Sequence, residues 1–375
     1  LNVPALLAQL DRYPYGCAEQ TISRALPLLY ANDLSVDRGL TVDGELRGRI
    51  QTAIDRVFQM QDSAGAFGTW GPQSADIWLS AYVTDFLTRA KEAGYTVDPR
   101  GFSQALARLQ NYVAYVSDFK RGGEKRAYAL YVLARNGKAP IGELRYYADT
   151  RLKRFATPLA KAQIGAALAM AGDKERAEQV MRAAFDDLTD VSGQRSRDDY
   201  GSGLRDAAAV VTLATEAGVL SGEVDELAGR IGTAYTERGR TSTQEQAWLL
   251  LAARALSEKA ETIALDVGGS RYKGAVRLPI DAQQFASAGD LGGIVLTNAG
   301  AAPTKAFFTV VGSAAAPEPA SQNGFQIKRA YYTLDGEEVD LDKPGAGLRQ
   351  SDRLVVVLSI ESGDPAGTCP RPSPP

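Results

Sequence analysis

Not one histidine occurs among the 375 residues, and only two cysteines do, Cys17 and Cys369. The first absence removes Cys-His and Ser-His-Asp nucleophile machinery together with the commonest zinc ligand. Papain-like and transglutaminase-like catalysis is thereby excluded, and no metal or cofactor is expected. Cys369 lies in a proline-rich tail, where a structural disulfide is not expected, so cysteine usage does not fix a compartment. No Asn-x-Ser/Thr acceptor appears, which counts against a secreted, glycosylated chain. No basic run appears either, and the formal net charge is −3, so neither nucleic acid nor an anionic membrane is an expected partner. No apolar stretch approaches the length of a membrane span, and the opening Leu1-Asn-Val-Pro4 has no charged, apolar, small-residue pattern. The expectation is a cytosolic chain or an internal piece of something larger.

What is present is ordinary globular material, 45% hydrophobic and 23% charged, long enough for two or three domains. Up to about residue 257 apolar residues recur at helical spacing, as in Leu46, Ile50, Ile54, Val57 and Phe58. The pattern predicts roughly a dozen amphipathic helices, near 3–10, 20–30, 44–61, 74–93, 99–116, 124–136, 141–149, 158–171, 173–188, 203–217, 222–236 and 242–257. Short connections favour antiparallel hairpins, and about six hairpins can form an open solenoid or a closed ring; no strict repeat decides between them. Longer connections at 62–73 and 189–202 are where sites tend to sit on a helical scaffold. After about residue 260 the period falls towards 2. Runs at 262–267, 293–297, 305–311, 325–332 and 353–360 are β-branched and aromatic and predict strands, with a linker at 313–323.

The stretch with chemistry is Tyr13-Pro-Tyr-Gly-Cys17-Ala-Glu-Gln20. Pro14 stiffens the approach and Gly16 lets the chain turn where a side chain would obstruct. Cys17 and Gln20 are three apart, so one helical turn places them on one face. Attack of the sulfur on the Gln20 carboxamide expels ammonia and leaves an internal thioester, an acyl group held by a good leaving thiolate. Taken by itself, Cys-x-x-Gln reads equally as a small buried hydrophobe opening a helix.

The octapeptide resembles the thioester signature of the alpha-2-macroglobulin and complement family, Gly-Cys-Gly-Glu-Gln, with Ala18 in place of the inner glycine as in the bacterial branch. Residues 59–70, 76–83, 199–206 and 242–248 resemble the bacterial proteins too. The resemblance implies a mainly α fold: an α/α toroid over 1–259 carrying the thioester, followed by β-sandwich material. On that map 260–312 is the returning half of a CUB domain, 313–323 a linker, and 324–362 the start of the last macroglobulin-like domain. Residues 363–375 are an unstructured or non-native tail. The resemblance also implies a fragment of a larger bacterial protein of the periplasm or cell envelope, a protease trap rather than an enzyme. After cleavage of a bait segment elsewhere, the Cys17–Gln20 thioester acylates lysine amines of the attacking protease. Target proteases and the other domains are the implied partners, and a fragment without a bait region is not expected to inhibit alone.

Glu19 is expected to orient the loop or cap the helix, and Tyr13 and Tyr15 to lie over the turn and shield it. Full shielding in the family also takes a contact from the final β domain, so a labile bond is expected in an isolated fragment. Phe67 and Trp70 resemble the aromatic plugs between helix pairs of other toroids. Two other readings compete. Asp62, Asp76, Asp198 and Asp199 are carboxylates of the kind an α/α-toroid glycosidase needs, and the chain also fits a structural or interaction module with an ordinary Cys17 thiol.

Overall fold

In the computed structural model of the chain, the described residues are 16–30, 44–73, 76–120, 122–193, 197–238, 240–257, 264–267, 269–273, 295–301, 325–341, 349 and 351–362, with Val3 and Leu6. The chain divides into two compact units, Leu1–Thr309 and Val310–Pro375. The first is mainly helical, with α1 Ala18–Leu28, α2 Gly44–Phe58, α3 Ile77–Glu92, α4 Pro99–Tyr115, α5 Glu124–Arg135, α6 Ile141–Tyr146, α7 Pro158–Met170, α8 Lys174–Asp186, α9 Gly203–Ala217, α10 Ser221–Glu237 and α11 Thr243–Ser257. Helix starts follow local chemistry. Asp76, Asp98, Thr157 and Ser202 each accept a backbone N–H of the first turn with a side-chain oxygen, and Pro99 and Pro158 sit in the first turn, where a missing N–H costs nothing.

Two kinds of helix alternate. α3, α5, α7 and α9 are buried almost all round: Leu159 to Leu168 of α7 are buried without interruption. α8 buries only Ala177, Val180, Met181 and Ala184, and α4 buries one stripe from Phe102 to Val113. The odd-numbered helices pack in a circle of neighbours, α1 on α3, α3 on α5, α5 on α7, α7 on α9, α9 on α11 and α11 back on α1, with even-numbered helices against them. Fully buried Trp78, Trp248, Tyr82, Tyr128, Tyr131 and Phe86 fill the middle, each large side chain contributing about 1.5–3 kcal/mol on leaving water.

The odd helices all run the same way. Their C-terminal ends meet in one polar cluster: buried Arg89 of α3 holds Asp85 at 3.0 Å and Glu216 of α9 at 2.9 Å, and donates to Tyr30 and Tyr131 hydroxyls. Arg135 of α5 and Arg254 of α11 join at Glu216, where Met170 of α7 also lies. Their N-termini therefore gather at the opposite end, with Cys17.

The expected helix at 3–10 falls almost wholly outside the described residues. The 141–149 helix is shorter than expected, because α6 passes into a π turn, Tyr147–Arg151, and a 3-10 turn, Leu152–Arg154. After α11 the first unit has an antiparallel three-stranded sheet, ordered β2-β1-β3, from β1 Ala264–Val267, β2 Ser270–Lys273 and β3 Leu296–Asn298. The second unit has another, ordered β5-β4-β6, from β4 Phe325–Tyr332, β5 Glu338–Val339 and β6 Val355–Ser362, in which Ile327 faces Ile360. β2 and β5 were not expected: both are short, polar runs, Ser-Arg-Tyr-Lys and Glu-Val, made strands by the turn that folds them back on a stronger neighbour. The strand at 305–311, the linker at 313–323 and the tail at 363–375 lie outside the described residues. One reading is corrected. Phe67 is fully buried against Phe58, as a plug should be, but Trp70 is 62% exposed, since the contacts that hold this loop inward are made by the Phe67 and Gly68 N–H groups and the Thr69 carbonyl and end there.

Candidate functional site

Cys17 is the N-cap of α1 in extended conformation (φ −61°, ψ 174°), and the helix begins at the next residue. Cys17 and Gln20 form a reciprocal cap. The Gln20 N–H points at Cys17 Sγ, and Gln20 Oε1 folds back to accept from Cys17 N–H at 3.3 Å. The same bend that satisfies the first-turn N–H groups thus carries the carboxamide to the cysteine. Gly16 leaves no room for a side chain, since a Cβ there would stand 3.0 Å from Gln20 Cβ and 3.3 Å from Thr21 N. Its carbonyl accepts from Arg56 at 3.0 Å, which anchors the turn to α2.

Glu19 is buried, and its carboxylate accepts from Ser23 at 2.6 Å, Thr243 at 3.0 Å and Gln244 at 3.0 Å. Ser23 in turn meets the Tyr82 hydroxyl at 2.9 Å. Glu19 therefore ties the start of α1 to the start of α11 through side chains. The capping of α1 falls to Cys17 and Gln20 and not to Glu19.

Both long connections reach the site. Thr69 of the 62–73 loop accepts from Ala18 N–H at 2.8 Å, beside Cys17. Tyr200 of the 189–202 loop sets its ring at a tilt against Trp78, with centroids 5.4 Å apart. Tyr13 and Tyr15 lie outside the described residues. Sequence reasoning missed Tyr200, Thr69, Thr243 and Gln244 as site residues, although residues 199–206 and 242–248 were among the segments that carried the resemblance.

Burial pushes the Cys17 thiol up, and the Glu19 carboxylate adds to this, against the hydrogen bond from the Gln20 backbone. The neutral thiol is thus favoured at this position, while the Gln20 N–H and the start of α1 act in the opposite sense by favouring negative charge on sulfur. Three of the four candidate carboxylates are otherwise engaged. Asp62 accepts from Ala64 and Ala66 N–H in its own turn, and Asp76 caps α3 and pairs with Lys125 at 2.6 Å. Asp199 pays a burial cost that Arg205 and Arg197 overcome, so its carboxyl is held below the usual range, the reverse of what a glycosidase general acid needs. Among the described residues no cluster of three or more Cys, Asp or Glu is placed to hold a metal ion, and no helix is long and apolar enough to cross a membrane.

A family profile described as the A-macroglobulin TED domain matches residues 2–114. The alpha-2-macroglobulin of Escherichia coli K12 is 31% identical over 97% of the chain, which spans 22% of that relative. The crystal structure of Salmonella alpha-2-macroglobulin reacted with methylamine superposes with a TM-score of 0.73 at 31% identity, over 96% of this chain and 24% of that one. The trypsin-activated Escherichia coli alpha-2-macroglobulin gives 0.56 at 29% identity, over 93% of this chain and 24% of that one. The chain thus covers about a quarter of these relatives. With the Cys17–Gln20 cap at its centre and nearly its whole length matched, the chain belongs to the bacterial alpha-2-macroglobulin family.

Proposed function

We propose that Cys17 and Gln20 form an internal thioester and that the chain is the thioester-bearing part of a protease trap. The observation that carries this is the reciprocal cap, in which the carboxamide oxygen and the sulfur of one helical turn are already folded onto each other's backbone. Sulfur adds to the Gln20 carboxamide carbon, ammonia leaves, and the acyl group is stored. When a lysine amine later adds to the same carbon, the carbon–sulfur bond breaks, the amine proton passes to the departing sulfur, and an amide joins Gln20 to the attacker. Each molecule acts once, as an inhibitor and not as a turnover enzyme.

The circle of odd-numbered helices supports an α/α toroid of paired inner and outer helices over 1–259. We assign 260–312 to the returning half of a CUB domain and 324–362 to the opening of a macroglobulin-like domain. Protease targets are supported by the trypsin-activated relative, and small-amine reactivity by the relative reacted with methylamine. Bait cleavage elsewhere in the full-length protein, and residence in the periplasm or envelope, complete the reading. No described feature favours the glycosidase, since Asp62, Asp76 and Asp199 are engaged in a turn, a helix cap and an ion pair.

The test is the mass of the peptide spanning Cys17 and Gln20 from full-length protein. Thioester formation removes ammonia, about 17 Da, and methylamine then adds about 31 Da while releasing one thiol. A peptide of unmodified mass with a freely titrating thiol would leave only the structural-module reading.

A further inference from the structure

Of the 42 cationic side chains in the chain, 30 are arginine and 12 lysine. Residues 1–90 and 175–257 hold sixteen arginines and no lysine, where the chain's own ratio would give about five lysines. Those two stretches supply α1, its neighbours α3 and α11 (α3 up to its last turn), α9, and the 62–73 and 189–202 connections. The seven lysines of the helical array all fall between Lys91 and Lys174. Lys91 in the last turn of α3, Lys138 after α5 and Lys174 at the start of α8 stand at the end away from Cys17. Lys120, Lys125, Lys153 and Lys161 belong to the starts of α5 and α7, two and three places round the circle from α1.

Lys161 is buried against Asp187. Lys125 reaches back from α5 to Asp76 at the start of α3, at 2.6 Å. Burial alone would lower the Lys125 amine, but the hydrogen bond and charge of Asp76 outweigh it and raise it, which leaves less of the nucleophilic free amine. Asp76 is close to the site: its N–H donates to the Phe67 carbonyl at 3.3 Å, two residues before the Thr69 carbonyl that takes the Ala18 N–H. At the turn itself the cation is Arg56, on the Gly16 carbonyl at 3.0 Å. A lysine there would make the same hydrogen bond. It would also set an amine beside Gln20, whereas a guanidinium stays protonated and does not attack.

Resting on the thioester reading, we infer that the surroundings of Cys17 and Gln20 are kept free of usable amines, with arginine as the cation at position 56 and Lys125 restrained by Asp76, so that the acyl group is not spent on the chain's own lysines. In the reaction avoided, a lysine Nζ adds to the Gln20 acyl carbon, the carbon–sulfur bond breaks, the nitrogen's proton passes to sulfur, and an amide closes within the chain. Arg56 and Asp76 thereby reserve the acyl group for an amine that arrives from outside.

The test compares full-length parent, Arg56→Lys, Arg56→Met and Asp76→Asn, each held at pH 8 without added amine, by peptide mass and thiol titration. Asparagine still caps α3, so Asp76→Asn removes the ion pair alone. Arg56→Lys should give a linked pair joining position 56 to Gln20, about 17 Da lighter than the two peptides together, at least about tenfold above any self-linkage in the parent, with the thiol released and methylamine uptake lost. Arg56→Met, which loses the hydrogen bond but brings no amine, should give none. Asp76→Asn should raise a Gln20–Lys125 linkage about two- to fivefold, the range a half-exposed ion pair allows. An Arg56→Lys protein with no linked pair, whether its thioester persists or is hydrolysed as in Arg56→Met, overturns the inference, and an unchanged Lys125 linkage in Asp76→Asn overturns the part given to Asp76. The parent separates the two readings. If its Gln20 peptide shows no ammonia loss, the thioester reading fails and takes this one with it; if the loss is present, missing linkages fail the lysine inference alone.

Discussion

Removing the Glu19 carboxylate is the most exposed point of the structural reasoning, because one buried group holds two helix starts together. Three donors, Ser23, Thr243 and Gln244, converge on it. At about 1–1.5 kcal/mol net for each, Glu19→Ala removes about 3–4.5 kcal/mol. Rotation of the two hydroxyls to other acceptors trims this to about 3 kcal/mol. For a unit of this size that lowers the melting temperature by roughly 6–12 °C. Glu19→Gln keeps one acceptor oxygen and turns an amide towards another donor, so it should fall about halfway. Calorimetry or a circular-dichroism melt reads both. A cycle with Thr243→Val should return a coupling of at least about 0.5 kcal/mol, since the two residues touch. The mass assay on the same variants should show less thioester, because the turn that brings Gln20 to Cys17 loses its anchor on α11. A Glu19→Ala protein that melts within about 2 °C of its parent would refute this account of how the site is positioned.

Arg89→Ala leaves buried Asp85 without its cation and Glu216 with only the 3.5 Å contacts to Arg135 and Arg254 at the far end of the bundle, and should cost about 3–5 kcal/mol by denaturant titration while leaving methylamine reactivity of the folded fraction unchanged. Arg205 and Arg197 hold Asp199 below its unfolded value, so the unfolded chain binds more protons there than the folded one. The stabilisation is complete above about pH 4 and fades as pH drops through the folded value, and Asp199→Asn should flatten that acid-limb loss of melting temperature. With no histidine in the chain to take the acyl group first, protease-activated full-length protein offered equal methylamine and glycerol should give mainly the amide on Gln20, at a rate that climbs with pH as free amine grows. A glycerol ester as the main product would contradict direct aminolysis.

The sequence by itself determined most of the helices and the meeting of Cys17 with Gln20. Apolar spacing placed α2 to α5 and α7 to α11 within a few residues of their observed ends, because an amphipathic stripe and its Asp, Ser, Thr and Pro start signals are local facts. Cys17 and Gln20 were legible for the same reason: three residues apart at a helix start is a distance the chain sets without help. Tertiary structure alone decided which loops lie beside them. Thr69 lies far along the chain from Cys17 and reaches Ala18 beside it, as Tyr200 reaches Trp78, because the odd-numbered helices run the same way, which brings their starts, and the loops before them, to one end. Nor did local pattern say that Trp70 would face water while Phe67 three residues earlier is sealed, since both are aromatic and the loop's turn between them is set by contacts with Ser80 and Met60. The capping role expected of Glu19 went to Cys17 and Gln20 for a related reason. A carboxylate at the second helical position can reach its own first turn, but here α11 supplies hydroxyl and amide donors in a buried setting, where hydrogen bonds to a charge are strongest.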